Sequence, residues 1–184
     1  EWIEAELAER GRQHRAVWWT HAHLEQVMGC HGNEKRYGLR TRVRSLDRPT
    51  YEMAHWAAER YGVALDPLPE CGDQDFVDGE RLVVGQVELT VRHTPGHAPG
   101  HVVFVDDRHA RVIGGDVLFQ GSIGRTDLPG GDPDQLAKSI EEALYTLPDH
   151  YAVVPGHGPA TTVGVEKAGN PYVNAAGTGM LQRT

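Results

Sequence analysis

Four separate apolar stretches of this chain run into short polar loops that carry a metal-capable side chain. This recurrence constrains the fold more than any other feature. "WWTHAH" ends in His21 and His23, "LTVRHTPGH" in His97, "RVIGGD" in Asp116 and "AVVPGH" in His157. Side chains at i and i+2 of an extended segment point the same way, so His21 and His23 can grip one ion. Proline and glycine beside His97 and His157 permit tight loops in which backbone and ion come close. Three imidazoles and a carboxylate suit zinc, and mixed histidine and carboxylate sets also hold iron or manganese. Any one such histidine reads most simply as a solvated loop residue. Four strand ends together read as loops gathered on one side of a sheet structure.

The bulk properties narrow the setting. With 184 residues the chain fits one domain, 1–184, with no sequence repeat and no linker. Lysine and arginine number 18 against 26 acids, a net charge of -8 that argues against a nucleic-acid partner. No apolar run approaches the roughly 20 residues of a membrane span, and no signal-peptide pattern is present. Two cysteines, Cys30 and Cys71, are too few for a disulfide framework, so a reducing cytoplasm is expected, with one bridge between them left open. The chain begins at Glu1 rather than methionine and enters at once into a helical pattern, which suggests that an N-terminal part precedes it.

The coarse pattern alternates helix and strand. "EWIEAELAER" reads as a helix with Trp2, Ile3 and Leu7 on one side and Gly11 as its stop. "AVWWTHAH" reads as a buried strand, with Trp18 and Trp19 explained by burial. "PTYEMAHWAAERYG" reads as a helix capped by Thr50, with Met53, Ala54, Ala57 and Tyr61 on its apolar side and Gly62 as its stop. Two hairpins follow, turning at Gly85 and Gln86 and around Asp106 and Asp107. The clearest helix, "GDPDQLAKSIEEALYTLPDH", has Asp132 as cap, Pro133 in its first turn and a stripe of Leu136, Ile140, Ala143, Leu144 and Leu147. "YAVVPGHG" supplies a last strand. The glycines of "GCHGNEKRYG" follow no strand and lack the spacing of a nucleotide loop.

Taken together, "THAHLEQ", "TPGHAPGH", "GGDVLFQGSIGRTDLPGG" and "VVPGHGPATT" resemble the metallo-β-lactamase superfamily, most nearly its small glyoxalase II-like hydrolases. The likeness runs from about Ala16 to Pro171, and the stretch after Asp116 is its most specific part. It implies an α/β (α+β) fold, a four-layer αββα sandwich with metals held by loops along one edge of two sheets. It also implies a first metal site of His21, His23 and His97, with Asp116 bridging to a second that includes His157.

The chain departs from the family motif where aspartate and histidine are expected, by carrying Glu25 and Gln26. Glutamate keeps the charge but moves the carboxylate by about one bond length, against ligand distances near 2.0 to 2.2 Å. The neutral amide of Gln26 is a poor substitute for imidazole on zinc. One tightly bound zinc and a weak or empty second site are therefore expected. Glu25, facing the cavity, is a candidate general base as well as a candidate ligand, or simply a carboxylate at a helix start.

The function implied is metal-dependent hydrolysis of a small-molecule thioester of hydroxyacylglutathione type. One alternative is sulfur oxidation like that of persulfide dioxygenases, which hold one iron and share a "GRTD" stretch; His21, His97 and Asp116 would be the triad. Another is a degenerate, non-catalytic binding protein. Glutathione-specific members carry an added helical C-terminal region, and this chain ends soon after Pro171, so the substrate stays open. Arg125 and Asp127 read best as a structural ion pair and His101 as a support for the site. His14, His31, His55, His93, His109 and His150 read as surface or packing residues. Tyr172 reads as a packing aromatic rather than a lid, and "NAAGTGMLQRT" as a flexible tail. Family members begin with strands before this point, so an uncovered sheet face is expected, to be covered by preceding residues or by a partner such as a second copy of the chain.

Overall fold

The computed structural model describes residues 2–39, 41–71 and 75–182. Helix α1 (Trp2–Glu9) stops at Gly11, whose φ of 59° turns the chain away. The apolar side expected of Trp2 and Ile3 lies outside the described side chains, while Leu7 is half-buried. The expected strand from Ala16 to His23 shortens to β1 (Val17–Trp18), because its parallel partner β2 (Thr41–Arg42) is only two residues long. Beyond it, Trp19 N–H still donates to Arg42 O and Thr20 O accepts from Val102 N–H. The segment carrying His21 and His23 is thus tied to both β-layers although it is not a strand.

Between β1 and β2 lie α2 (Leu24–Val27) and α3 (Cys30–Tyr37), the latter formed by "CHGNEKRY" with Gly38 closing it at φ 63°. The next expected helix is divided at Met53 into α4 (Arg48–Glu52) and α5 (Ala54–Tyr61). Asp47, not Thr50, holds the cap position of α4, and its carboxylate is committed elsewhere. Cys30 and Cys71 are free thiols in or against the small core of Trp19, Val27, Tyr51 and Ala54.

The main sheet has six strands in the order β10-β9-β6-β5-β4-β3. These are β3 (Arg81–Val84), β4 (Val87–His93), β5 (Val102–Asp106), β6 (Arg111–Gly115), β9 (Ala152–Pro155) and β10 (Thr161–Thr162). Within this sheet, among the described residues, only β6 and β9 pair in parallel. Both expected hairpins form, with Val84 opposite Val87 across Gly85 and Gln86, and with Asp106 opposite Arg111. A small hairpin, β7 (Leu118–Phe119) and β8 (Ser122–Ile123), follows the sheet.

Alternation along β5 splits the core. Val103 and Val105 face α6 (Pro133–Ser139) and its π-helical continuation through Leu144, where Leu136, Ile140 and Leu144 are fully buried. Asp132 caps α6 as expected, accepting from the N–H groups of Asp134 and Gln135. Val102 and Phe104 face Phe76 and Trp18. On that same face Ile113 and Val154, paired in register, are 40% and 44% exposed, so the sheet is uncovered where β6 meets β9.

After β10, α7 (Val163–Gly169) leads into a segment that packs rather than hanging free. Val173 is fully buried, Leu181 lies against the α6 core, and Asn174 accepts from the N–H groups of Ala176 and Thr178. The flexible tail expected from "NAAGTGMLQRT" is thus replaced, through Gln182, by folded turns stapled by asparagine and glutamine side chains. No helix among the described residues is long and apolar enough to cross a membrane.

Candidate metal centre

Every candidate ligand converges on one place. His21, His23 and His97 are buried and bring ligand atoms within 4.8 Å of one another, and so do His21, Glu25 and Asp116. His23 Nδ1 lies 2.9 Å from His97 Nε2. Asp116 Oδ2 is 3.7 Å from His97 Nε2 and 3.3 Å from His157 Nε2. Glu25 stands 3.8 Å from His21 Nε2 on the open side, with a half-exposed side chain. Gln26 is half-buried and does not line the cavity above the cluster.

The residues behind the cluster fix which atoms point inward. Arg125 O can only accept, so His97 Nδ1 donates to it at 2.8 Å, leaving the Nε2 lone pair toward the centre. Thr20 Oγ1 engages His21 Nδ1, while His21 Nε2, 3.8 Å from the Glu25 carboxylate, and Asp116 Oδ1 are buried without a hydrogen-bond partner. Two orphaned polar atoms beside a cluster of imidazoles are costly unless a cation meets them. The donor set, nitrogen with carboxylate oxygen, suits zinc, iron or manganese.

His101 supports the site as expected. Fully buried, it accepts the Asp116 N–H at Nε2 and faces Thr94 Oγ1 at Nδ1, and its ring stacks on His21 at 5.0 Å. Glycine at 115, with φ 48°, lets this happen, since a Cβ there would stand 2.7 Å from His101 Nε2. At Gly156 a Cβ would stand 2.1 Å from Asp116 Oδ1.

Burial, then the neighbouring His21, lowers the pKa of His23 to about 4. The same two causes, joined by His23, lower His97 to about 4 as well. Burial puts His101 well below its ordinary value. The rings of His23, His97 and His101 are therefore neutral at pH 7, the form that ligates metal. A ring that stays neutral in the fold but takes a proton when unfolded stabilises fully above pH 6.5 and progressively less as pH falls towards 4. The metal-free chain should lose on the order of 3 kcal/mol for the first such ring over that window. Urea melts of chelator-treated protein from pH 7 to 4 measure this, and an unchanged midpoint would contradict it.

Nothing in the sequence marks Asp47. Completely buried, it accepts from Ala22 N–H, between the first two histidines, and from Gly100 N–H, just after His97. It thereby clamps two ligand loops together. Asp47→Ala should weaken metal binding about 10 to 100-fold, like loss of other groups behind a ligand. Competition with a chelating dye reads this, and an unchanged affinity would remove the clamp from the account. Other expectations resolve simply. Arg125 Nε and Nη2 bind Asp127 at 2.7 and 2.8 Å. Tyr172 packs against the core, away from the cavity.

The loops open into a cavity of about 800 Å³ between α2, α4, α5 and the β7–β8 hairpin. A sheet with ligand loops at its edge, gathered around buried histidines and a carboxylate, defines a candidate metal centre. The chain belongs to the metallo-beta-lactamase superfamily, whose sequence model matches residues 1–157 and whose members are generally metal-dependent hydrolases. It is 37% identical over 160 residues to the hydroxyacylglutathione hydrolase GloC of Haemophilus influenzae, covering 85% of this chain and 74% of that protein. It is also similar to the crystal structure of TTHA1623 in a di-iron-bound form, with TM-score 0.85, 40% identity, and coverage of 94% of this chain and 84% of that one. ETHE1 from Myxococcus xanthus is a further neighbour, with TM-score 0.74, 25% identity, and coverage of 94% and 68%. These likenesses bear out the αββα sandwich, whose large sheet is the six-stranded one.

Proposed function

We propose that this chain hydrolyses a small-molecule thioester, with hydroxyacylglutathione-type thioesters the first class to assay. One ion, zinc in the first instance, is held by His21, His23 and His97 with Asp116, and a weaker second position lies at Asp116, His157 and Glu25. The observation that carries the reading is the pair of orphaned buried atoms, His21 Nε2 and Asp116 Oδ1, within a cluster of ligand-capable groups. A bound divalent ion supplies an activated water near neutral pH and polarises the carbonyl to be attacked.

The chain's own residues set the rest. The Arg125 carbonyl and Thr20 hydroxyl fix two imidazoles from behind. His101 holds the Asp116 backbone, and Asp47 keeps the loops in register. The His21 ring beside it brings the Glu25 pKa down to about 2. A carboxylate so acidic is a poor proton acceptor at pH 7 and stays ionised, free to meet a cation, which counts against general-base action. Zinc-reconstituted protein should release free thiol from at least one small-molecule thioester, lactoylglutathione being the first tried, lose that activity with chelator and regain it with metal. No turnover with zinc, iron or manganese would overturn the proposal.

The intact "GRTD" stretch, whose Arg125 and Asp127 pair beside His97, favours iron-dependent sulfur oxidation as the second reading. Oxygen uptake by the iron-loaded chain with glutathione persulfide would select it. Inertness in both assays would favour the binding role.

A further inference from the structure

The wall of the cavity carries information that the metal cluster does not. Met28, Met53, Trp56, Tyr61 and Val63 are all large apolar side chains left exposed, and all five line this one cavity. Trp56 and Tyr61 are 58% and 60% exposed. Phe119 faces the same space from the β7–β8 hairpin. Keeping such groups wet forfeits burial worth about 25 cal/mol per Å². Contiguous exposed apolar surface of this kind marks a ligand site more often than a scatter of single residues does. Charge points the same way. Two cations, Arg60 and Arg125, line the cavity, and Arg125 is already bound to Asp127. Glu25 and Asp116 also line it, and the chain carries a net charge of -8. Among the described residues, Arg60 and Arg125 are the only arginine or lysine side chains there to meet the two carboxylates of a tripeptide thiol.

The geometry points to a substrate whose thioester carries an apolar substituent seated on the wall of α2, α4 and α5, rather than a highly charged thiol carrier. This rests on the hydrolase reading for its chemistry. Water adds to the thioester carbonyl, the C–S bond breaks, and a carboxylic acid and a thiol leave with no redox partner needed.

Metal-loaded protein is assayed on N-acetylcysteamine thioesters with acyl chains of two to eight carbons. In parallel, acetyl thioesters of alkylthiols of rising length are tested, with lactoylglutathione as comparator. A rise in kcat/KM of about threefold per methylene in either series is expected, with the responding series naming the side of the thioester that meets the wall. Trp56→Ala should flatten that rise without changing metal content. Binding of the non-hydrolysable S-octyl thioether of N-acetylcysteamine, followed by calorimetry, gives a readout independent of turnover. Its Kd should rise about tenfold in Trp56→Ala. Rates independent of both chains, with lactoylglutathione preferred, would overturn this inference and leave the hydrolase reading standing. Thioether binding that tightens with chain length, but no hydrolysis of any thioester, would support the apolar site and sink the hydrolase reading.

Discussion

Asp116→Ala should release the metal and lower thioester hydrolysis by about 10³-fold or more, corresponding to the several kcal/mol that a Lewis-acid centre contributes. Asp116 is 4% exposed, and its carboxylate meets both His97 and His157. It thereby joins the deep histidines to the outer one. Its substitution should leave the fold intact, because Oδ1 has no hydrogen-bond partner to lose and Oδ2 meets the ligand rings of His97 and His157. Metal content and kcat/KM should therefore fall together while the thermal midpoint of the metal-free form stays nearly unchanged. Asp116→Ala protein that retained both metal and turnover would place the chemistry elsewhere.

The second large effect is a gain. Glu25→Asp with Gln26→His should tighten a second ion by about 10 to 100-fold and raise hydrolysis with it. Glu25 already reaches the cluster from the first turn of α2, at 3.8 Å from His21, whereas Gln26 lies outside the cavity lining. The single change Glu25→Asp should therefore do less than the pair. A double variant that binds a second ion and gains activity marks the present chain as a hydrolase with an impoverished outer site. A double variant that stays inert, although folded and metal-loaded, would favour a ligand-binding role.

The ligand set was legible because its signals are local. His21 and His23 announce themselves by alternation, and His97, Asp116 and His157 by their place at apolar stretches followed or preceded by glycine and proline. Asp47 gave no such signal, since its partners lie 25 and 53 residues away and nothing around "RSLDRP" points to them. Helical spacing at Met53, Ala57 and Tyr61 was visible, but periodicity cannot distinguish a core stripe from a cavity wall. The structure puts Met53 and Tyr61 against the cavity. Helix α3 leaves no mark in the sequence for the opposite reason, being strongly polar with no apolar stripe. The C-terminal turns depend on Asn174 and Gln182 side chains satisfying backbone groups, which composition alone presents as a loose tail.

Counting metal settles the central claim most directly. The chain is saturated with zinc, passed through a desalting column and measured by mass spectrometry against protein concentration. One ion per chain should remain, and it should be lost in variants at His21, His23 or His97. Two ions held equally tightly, or none at all, would contradict a deep three-histidine site beside a weakened partner.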